Sequence, residues 1–306
     1  MDLTVELCPG LRLANPVLSA SGTWGAGLEA ARFADVSGIG GIVTKTVTPK
    51  PRAGNPPTRL AETPSGMLNS IGLENPGVDA FLQGDFQDSL QLGPPVILNV
   101  GGESFEEFEQ IIERVQGCGA AALELNLSCP NVQGGALPFS TDPVACEKIV
   151  ASCVSRSELP IFVKLSPNVT RITELAQAAE QGGADGLTLI NTLLGMAVDW
   201  RRRRPVLGLS IGGLSGPAIK PVALRCIWQV RQVCSLPILG VGGASSGSDV
   251  LEFLLAGADA VQIGTANFGD PLAPVHIVEE LRGLLAENGQ ELSVYRRGLH
   301  RQGAEG

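Results

Sequence analysis

Histidine is scarce in this sequence: the 306 residues include only His276 and His300, and neither lies in a cluster of polar residues. Catalytic arrangements built on histidine, and metal sites with histidine ligands, are therefore poor candidates. The seven cysteines form no Cys-x-x-Cys pair and no other spacing typical of metal ligands. We expect no metal site, and in particular no zinc or iron–sulfur cluster held by this chain alone.

Positive charge is also in short supply, with 22 Lys and Arg against 31 Asp and Glu, a net charge of -9. This balance argues against nucleic acid or an anionic membrane as a main partner. The one basic run, Arg201–Arg204, is typical of a solvated loop. The sequence lacks a secretion signal and any apolar run long enough to cross a bilayer. With an odd number of cysteines as well, these absences predict reduced thiols and a cytoplasmic location.

What the sequence does contain is a regular alternation of short apolar runs and amphipathic stretches. The predicted helices are 28–34, 78–90, 105–116, 144–155, 172–181, 217–233, 248–256 and 272–287, and the predicted strands are 16–20, 41–44, 96–99, 121–125, 161–164, 186–190, 238–241 and 260–263. Eight strand–helix units predict an α/β protein with a (β/α)8 TIM barrel, preceded by a short hairpin of residues 3–5 and 11–13. No low-complexity linker interrupts residues 1–306, which we interpret as a single domain. A doubly wound sheet is the alternative, but no Gly-x-Gly-x-x-Gly turn follows the first strand.

Two connections, residues 46–76 and 191–216, are too long for simple turns. Long loops on the C-terminal face of a barrel usually build or cover the active site. Polar residues also follow most of the predicted strands, where barrel enzymes place their sites. Glycine-rich turns after strands seven and eight, at Gly242-Gly243 and Gly264-Thr265, predict a phosphate site. Lys45 and Lys164 end apolar strands and suit anionic ligands, although each side chain could instead extend to the barrel rim.

The segment from 124 to 135 is the strongest candidate for a reaction site. The apolar strand before it ends in a loop that brings together Asn126, Ser128, Cys129 and Asn131. A thiol titrates near enough to neutrality to accept a proton, and the asparagines can hold a planar ligand that bears amides. The alternative, that Cys129 is a small buried hydrophobic residue, is the usual one for a lone cysteine. The polar residues around Cys129 favour the reactive interpretation.

These motifs, in this order, resemble those of the class 1 dihydroorotate dehydrogenases, and the sequence of residues 71–76 and 164–168 is most similar to type 1B. The matching segments cover nearly the whole chain and include 15–22, 44–46, 54–56, 66–73, 124–135, 163–170, 190–192, 212–216 and 264–267. Residues 206–210 depart from the usual 1B sequence. Class 2 enzymes use serine as the base and carry an N-terminal extension, whereas this sequence has Cys129 and no such extension.

The resemblance implies FMN-dependent oxidation of (S)-dihydroorotate to orotate in pyrimidine biosynthesis. It implies one FMN per chain, bound by Ser21, Lys45, Thr46, Asn99, Asn126, Lys164, Ile190, Gly216, Gly242, Gly243, Gly264 and Thr265. It implies that dihydroorotate and orotate contact Lys45, Asn69, Ser70, Ile71, Gly72, Leu73, Asn126, Asn131, Asn191 and Thr192. Cys129 is then the general base, Lys45 pairs with the substrate carboxylate, and Lys164 offsets charge on the reduced flavin.

The same resemblance implies partners. In type 1B the electrons reach NAD+ through a second subunit that carries FAD and a [2Fe-2S] cluster, and the assembly is a heterotetramer around a homodimer of catalytic chains. Three alternatives stay open at the level of sequence. These are a fumarate-dependent type 1A enzyme, a related flavin barrel acting on another dihydropyrimidine, and a barrel that only binds a phosphorylated ligand.

Overall fold

Eight parallel strands form a barrel in the computed structural model, which describes residues 2–127 and 138–302. The strands in chain order are Val17–Ser19, Ile42–Val43, Val96–Val100, Ala122–Asn126, Ile161–Leu165, Gly186–Leu189, Ile238–Val241 and Ala260–Ile263. Each pairs with the next from strand two onward, and strand eight pairs with strand one. A bridge between Leu18 and Gly41 joins strands one and two, with Ser19 N donating to Gly41 O at 3.1 Å. The predicted (β/α)8 barrel is confirmed.

Helices cover the outside of the barrel close to where the sequence predicts them. Their bounds are Leu28–Ala31, Val78–Gln83, Asp85–Ser89, Phe105–Arg114, Pro143–Val154, Ile172–Gln181, Lys220–Arg231, Gly247–Ala256 and Ala273–Asn288. Side-chain caps fix several starts: Ser104, Asp142 and Ser246 each accept a hydrogen bond from a backbone N–H of the first turn. Short helices at Ala266–Gly269, Leu292–Tyr295 and Gly298–Gln302, and 3-10 turns at Leu90–Leu92, Pro138–Ser140 and Pro217–Ile219, complete the helical elements of the described residues.

Three predicted helices differ in detail from the structure. The segment 78–90 is two helices because Gly84, with φ -112° and ψ -116°, breaks the helical backbone between them. The segment 217–233 starts as a 3-10 turn and becomes α-helical at Lys220. The segment 28–34 ends at Ala31. In the described part of the chain, no helix has both the length and the apolar character needed to cross a bilayer.

The N-terminal hairpin is present, formed by Val5–Cys8 and Leu11–Leu13 in antiparallel pairing. The first strand runs from Val5 to Cys8, so it has one residue more than the predicted strand 3–5 and overlaps it only at Val5. A register shift between Glu6 and Cys8 accommodates the extra residue. Alternate side chains, including Val5, Leu11 and Leu13, are buried in the main hydrophobic core.

The two long loops contain an antiparallel sheet that the sequence analysis missed. Its strands, in spatial order, are Leu193–Met196, Ile211–Ser215, Gly66–Asn69 and Leu60–Thr63. Local sequence patterns do not reveal this sheet, because its strands are short, three of the four contain glycine, and the central pair joins segments about 145 residues apart. Such pairing leaves little trace in local periodicity.

Residues 193–211 carry an exposed apolar surface, which we call the apolar hairpin. A two-stranded ribbon of Val198–Asp199 and Arg204–Pro205 extends it, and the arginines of the run 201–204 are exposed there, as predicted for a solvated loop. Its exposed apolar side chains are Leu194, Met196, Val198, Trp200, Val206, Leu209 and Ile211. So many exposed apolar side chains on one segment are typical of a surface that contacts another protein.

A buried cluster of charges ties the C-terminal segment to the barrel. Asp259, which immediately precedes strand eight, is 1% exposed and accepts hydrogen bonds from Arg231 Nη2 at 2.8 Å, Arg296 Nη2 at 2.9 Å and Arg297 Nη2 at 3.1 Å. It also accepts from Ile238 N at 2.9 Å. Burial lowers the pKa of the Arg231 guanidinium, and the charge of Asp259 opposes that effect. The carboxylate therefore compensates a buried guanidinium that water cannot solvate.

We expect Asp259→Asn to destabilise the protein by about 3–5 kcal/mol, because Arg231 then remains buried without its counter-charge. The matched control is Asp79→Asn, which removes an exposed partner of Arg114 at 3.3 Å and should cost no more than about 1 kcal/mol. Urea unfolding of both variants against the parent measures the difference. Equal losses for the two variants would contradict the role assigned to Asp259.

Candidate active site

An open cleft lies at the C-terminal ends of the barrel strands. Contributions come from the strand ends and from the antiparallel sheet of the two long loops, which supplies Leu60, Met67, Asn69 and Ser215. All but two of the described residues predicted to bind cofactor or substrate line it. Those present are Ser21, Lys45, Thr46, Asn69, Ile71, Gly72, Leu73, Asn126, Lys164, Ile190, Asn191, Thr192, Gly216, Gly242, Gly243, Gly264 and Thr265.

The two described exceptions are Asn99 and Ser70. Ser70 is buried beside the cleft, where it accepts a hydrogen bond from Asn55 Nδ2 at 3.0 Å and supports the segment 69–73 from behind. Asn99 is fully buried inside the barrel. Cys129 and Asn131, together with Ser128, lie outside the described residues.

One end of the cleft is a glycine cradle, formed by Gly216, Gly242, Gly243, Gly264 and Thr265. Gly216, Gly242 and Gly243 have positive φ angles, which glycine adopts without strain. A Cβ atom at Gly243 would lie 2.7 Å from Gly216 O, so no side chain fits there. Gly264 differs, because a Cβ atom on it would meet only Ala20 Cβ, at 3.6 Å. The cradle thus exposes backbone that an anionic group can approach closely.

An ion pair supports the loop that carries Gly242 and Gly243. Lys220 Nζ lies 2.6 Å from Asp249 Oδ1, and Asp249 Oδ2 accepts from Ser245 N at 2.8 Å. The hydrogen bond to Asp249 raises the pKa of Lys220 above its usual value. Burial alone would raise the pKa of Asp249, but the hydrogen bonds from Lys220 and Ser245 outweigh it, and that pKa is lowered. Both groups are therefore charged at neutral pH and hold the loop in place.

The middle of the cleft is lined by a chain of amides and hydroxyls from different strands. Asn126 Nδ2 donates to Thr46 Oγ1 at 3.1 Å, and Asn191 Nδ2 donates to Asn126 Oδ1 at 3.2 Å. The Oγ atoms of Ser21 and Thr46 are 3.5 Å apart. The ends of strands one, two, four and six are thereby linked. Amide groups fixed in this way can present donors and acceptors to a planar ligand.

Lys164 lines the cleft, and its partner is an acid that the sequence analysis did not consider. Lys164 Nζ lies 3.5 Å from Glu124 Oε1, and the two side chains are 7% and 0% exposed. We predicted that an external anion would offset this lysine, whereas the structure provides one within the chain. The sequence does contain a signal for this pair: Glu124 stands between Leu123 and Leu125 in a buried strand, and a buried carboxylate requires a partner.

Glu124 is the centre of a barrel network, by which we mean Asn99, Glu124, Lys164, Thr188 and Gln262. Asn99 Nδ2 donates to Oε1 at 2.5 Å, while Thr188 Oγ1 and Gln262 Nε2 donate to Oε2 at 2.7 and 2.6 Å. This explains why Asn99 does not line the cleft. Within residues 2–127 and 138–302, Asn99 Oδ1 and Gln262 Oε1 have no hydrogen-bond partner.

None of the six described cysteines is suited to react near neutral pH. Burial raises the pKa of the Cys146 and Cys153 thiols to about 12 and that of the Cys8 and Cys234 thiols to about 11. It also raises the pKa values of Cys118 and Cys226. No described cysteine lines the cleft, and the described residues hold no group of three metal-ligating side chains.

The closed barrel and the position of the cleft place the protein among the (β/α)8-barrel enzymes. The chain belongs to the dihydroorotate dehydrogenase family: the sequence model of that family, described as "Dihydroorotate dehydrogenase", matches residues 3–285. The protein is therefore an oxidoreductase, and membership of this family implies a flavin cofactor.

Similar proteins support the more specific resemblance. The chain is 50% identical over 289 residues to a protein of Geotalea uraniireducens, covering 94% of both chains. It is 51% identical over 288 residues to one of Anoxybacillus flavithermus, covering 94% of this chain and 92% of that one. Both are named dihydroorotate dehydrogenase B (NAD(+)), catalytic subunit. The predicted resemblance to the 1B type is confirmed.

A solved structure supports the fold independently. The crystal structure of DHODH from Eimeria tenella in complex with ferulenol superimposes with a TM-score of 0.78, covering 94% of this chain and 85% of that one, at 23% identity. At this level of identity the likeness concerns the fold alone.

Proposed function

We propose that this protein oxidises (S)-dihydroorotate to orotate with FMN, as the catalytic subunit of an NAD+-linked enzyme of pyrimidine biosynthesis. The observation that carries the proposal is that the predicted binding residues, although distant in sequence, lie together in the structure. Residues chosen from motifs spread between Ser21 and Thr265 line one cleft at the C-terminal face of a barrel. The chain is also about half identical, over 94% of its length, to B-type catalytic subunits.

The cleft fits a flavin nucleotide. We assign the phosphate to the glycine cradle, where the space beside Gly264 is open, since a Cβ atom there would meet only Ala20 Cβ at 3.6 Å. We assign the ring system to the centre of the cleft, against Ser21, Thr46, Asn126 and Lys164, with Ile190 on its apolar side. When bound, FMN supplies the two-electron acceptor.

The substrate contacts follow from charge and hydrogen bonding. Lys45 suits the carboxylate of dihydroorotate, and the amides of Asn69, Asn126 and Asn191 suit its imide edge. The segment from Ser70 to Leu73, with Thr192 and Asn131, completes the proposed substrate site. Orotate has one C=C bond more than dihydroorotate, so one ring carbon loses a hydride and the next loses a proton.

Cys129 takes that proton in the proposed mechanism. Its assignment rests on sequence, because it lies outside the described residues. The raised pKa values of the cysteines at 8, 118, 146, 153, 226 and 234 support it indirectly, since those buried thiols are unsuited to accept a proton at neutral pH. Lys164 offsets negative charge on the reduced cofactor.

The proposal includes partners. The relatives' name, catalytic subunit, indicates that those proteins work with others. We propose that a second subunit carries FAD and a [2Fe-2S] cluster, and that two copies of each subunit form a heterotetramer around a homodimer of this chain. The exposed side chains of the apolar hairpin support contact with protein partners. We further propose that residues 1–306 form one domain and that the enzyme is cytoplasmic.

Gly264→Asp should abolish FMN binding, because the new carboxylate would repel the phosphate in the cradle. Gly264 is a better test than Gly243, where any side chain strains the backbone. The control Gly264→Ala adds a methyl group in ordinary contact with Ala20 and should retain most of the flavin. The ratio of flavin to protein absorbance after purification measures both. Full flavin content in Gly264→Asp would place the phosphate elsewhere.

Cys129→Ser should keep FMN and substrate binding but reduce flavin about 10²–10⁴-fold more slowly, because an alcohol ionises far less readily than a thiol and so rarely supplies the anion that accepts the proton. Its rate should recover partly as the pH rises, whereas Cys129→Ala should be at least as slow at every pH. Stopped-flow absorbance of the flavin after mixing with dihydroorotate gives these rates. A parental rate in Cys129→Ala would end the assignment of the base.

The isolated chain should oxidise dihydroorotate with artificial acceptors yet fail to reduce NAD+, because we place FAD and the cluster on another subunit. Co-expression with that subunit should confer NAD+ reduction, followed as NADH absorbance. Efficient turnover with fumarate would instead favour type 1A. Efficient NAD+ reduction by the isolated chain would contradict the proposed electron path.

A further inference from the structure

We propose that Glu124 is a positioning residue, whose carboxylate is the counter-charge of Lys164 and thereby sets how strongly the site favours reduced over oxidised flavin. This inference rests on the proposed function, since it requires FMN beside Lys164. Glu124 itself does not line the cleft and is fully buried, so it acts through the lysine.

The geometry of the barrel network fixes the position of Glu124 and gives its carboxylate a charged partner. Its two oxygens accept hydrogen bonds from Asn99, Thr188 and Gln262, and all three bonds are 2.7 Å or shorter. These donors are uncharged, so Lys164, 3.5 Å from Oε1, is the cation that pairs with the acid. The five residues of the network come from five different barrel strands, and the sheet therefore holds the carboxylate rigidly.

The pairing of Glu124 with Lys164 offsets the cost of burying the carboxylate. A buried carboxylate is costly and is retained only when it is paired and hydrogen-bonded. Here the pair has one member inside the barrel and the other, Lys164, at the cleft wall. The ammonium is thus shared between a fixed negative charge below it and whatever ligand lies above it.

Two opposite demands on Lys164 follow from this position. Reduced flavin can carry a negative charge on its ring, which the ammonium attracts, whereas oxidised flavin has a neutral ring. Glu124 competes with the reduced flavin for the same positive charge. Replacing the carboxylate with a neutral group of the same shape should therefore strengthen binding of reduced FMN relative to oxidised FMN.

The test compares the dissociation constants of the full-length chain for oxidised and reduced FMN, from anaerobic titrations. In Glu124→Gln we expect the ratio to shift toward reduced FMN by about tenfold, the size of a buried charge interaction through protein. Glu124→Asp keeps the charge and should restore the parental ratio. The matched control Thr188→Val removes a buried hydrogen bond to Oε2 at constant charge and should change the ratio by less than about twofold.

The background Lys164→Gln gives a second comparison in case Glu124→Gln does not fold. The double variant Lys164→Gln, Glu124→Gln leaves no charge in the barrel network and should favour reduced FMN more than Lys164→Gln alone. A merely structural Glu124 predicts lower unfolding temperatures with unchanged ratios in both comparisons, and that result would overturn the inference. If the parental chain binds no FMN, or binds it without oxidising dihydroorotate, the proposed function fails instead.

Discussion

Closure of the barrel between strands one and two is the constraint on which the rest of the structure depends. These are the two shortest of the eight strands, and the bridge of Leu18 with Gly41 joins them. A Cβ atom at Gly40 would lie 2.1 Å from Asn15 O, so only glycine permits the close approach of the two backbones. Once the sheet is closed, all eight strand ends face one side. The polar residues that follow them then share a single cleft.

The inside of the barrel shows what closure makes possible. Glu124 has donors on strands three, six and eight and a cation on strand five. An open sheet would bring only neighbouring strands together. A ring of strands surrounds the acid and supplies partners from across the barrel, which allows a carboxylate to remain buried beside a binding cleft. The polar interior is thus a product of the fold as much as of the residues.

How far the sequence predicted the structure depends on how local each signal is. The eight strands lie within one or two residues of their predicted bounds, because each is an apolar run followed by turn residues. Most cleft residues were predictable for the same reason, since they follow strands. The antiparallel sheet was not, because Asn69 and Gly213 pair across a long separation. The side chain of Asn99 points to Glu124, and Glu124 is also the partner of Lys164. The sequence does not predict these contacts, because they join residues of different strands that meet only in the closed barrel.

The antiparallel sheet also links the segment 69–73 to the glycine cradle. Met67 pairs with Ser215, and Asn69 Nδ2 donates to Gly213 O at 3.3 Å. The loop that leads into residues 69–73 is therefore bonded to the loop that leads into Gly216 of the glycine cradle. Displacing one loop would break or strain its hydrogen bonds to the other, so the sheet couples the two ends of the cleft. A ligand at residues 69–73 and a ligand at the glycine cradle are therefore held by loops that belong to the same sheet.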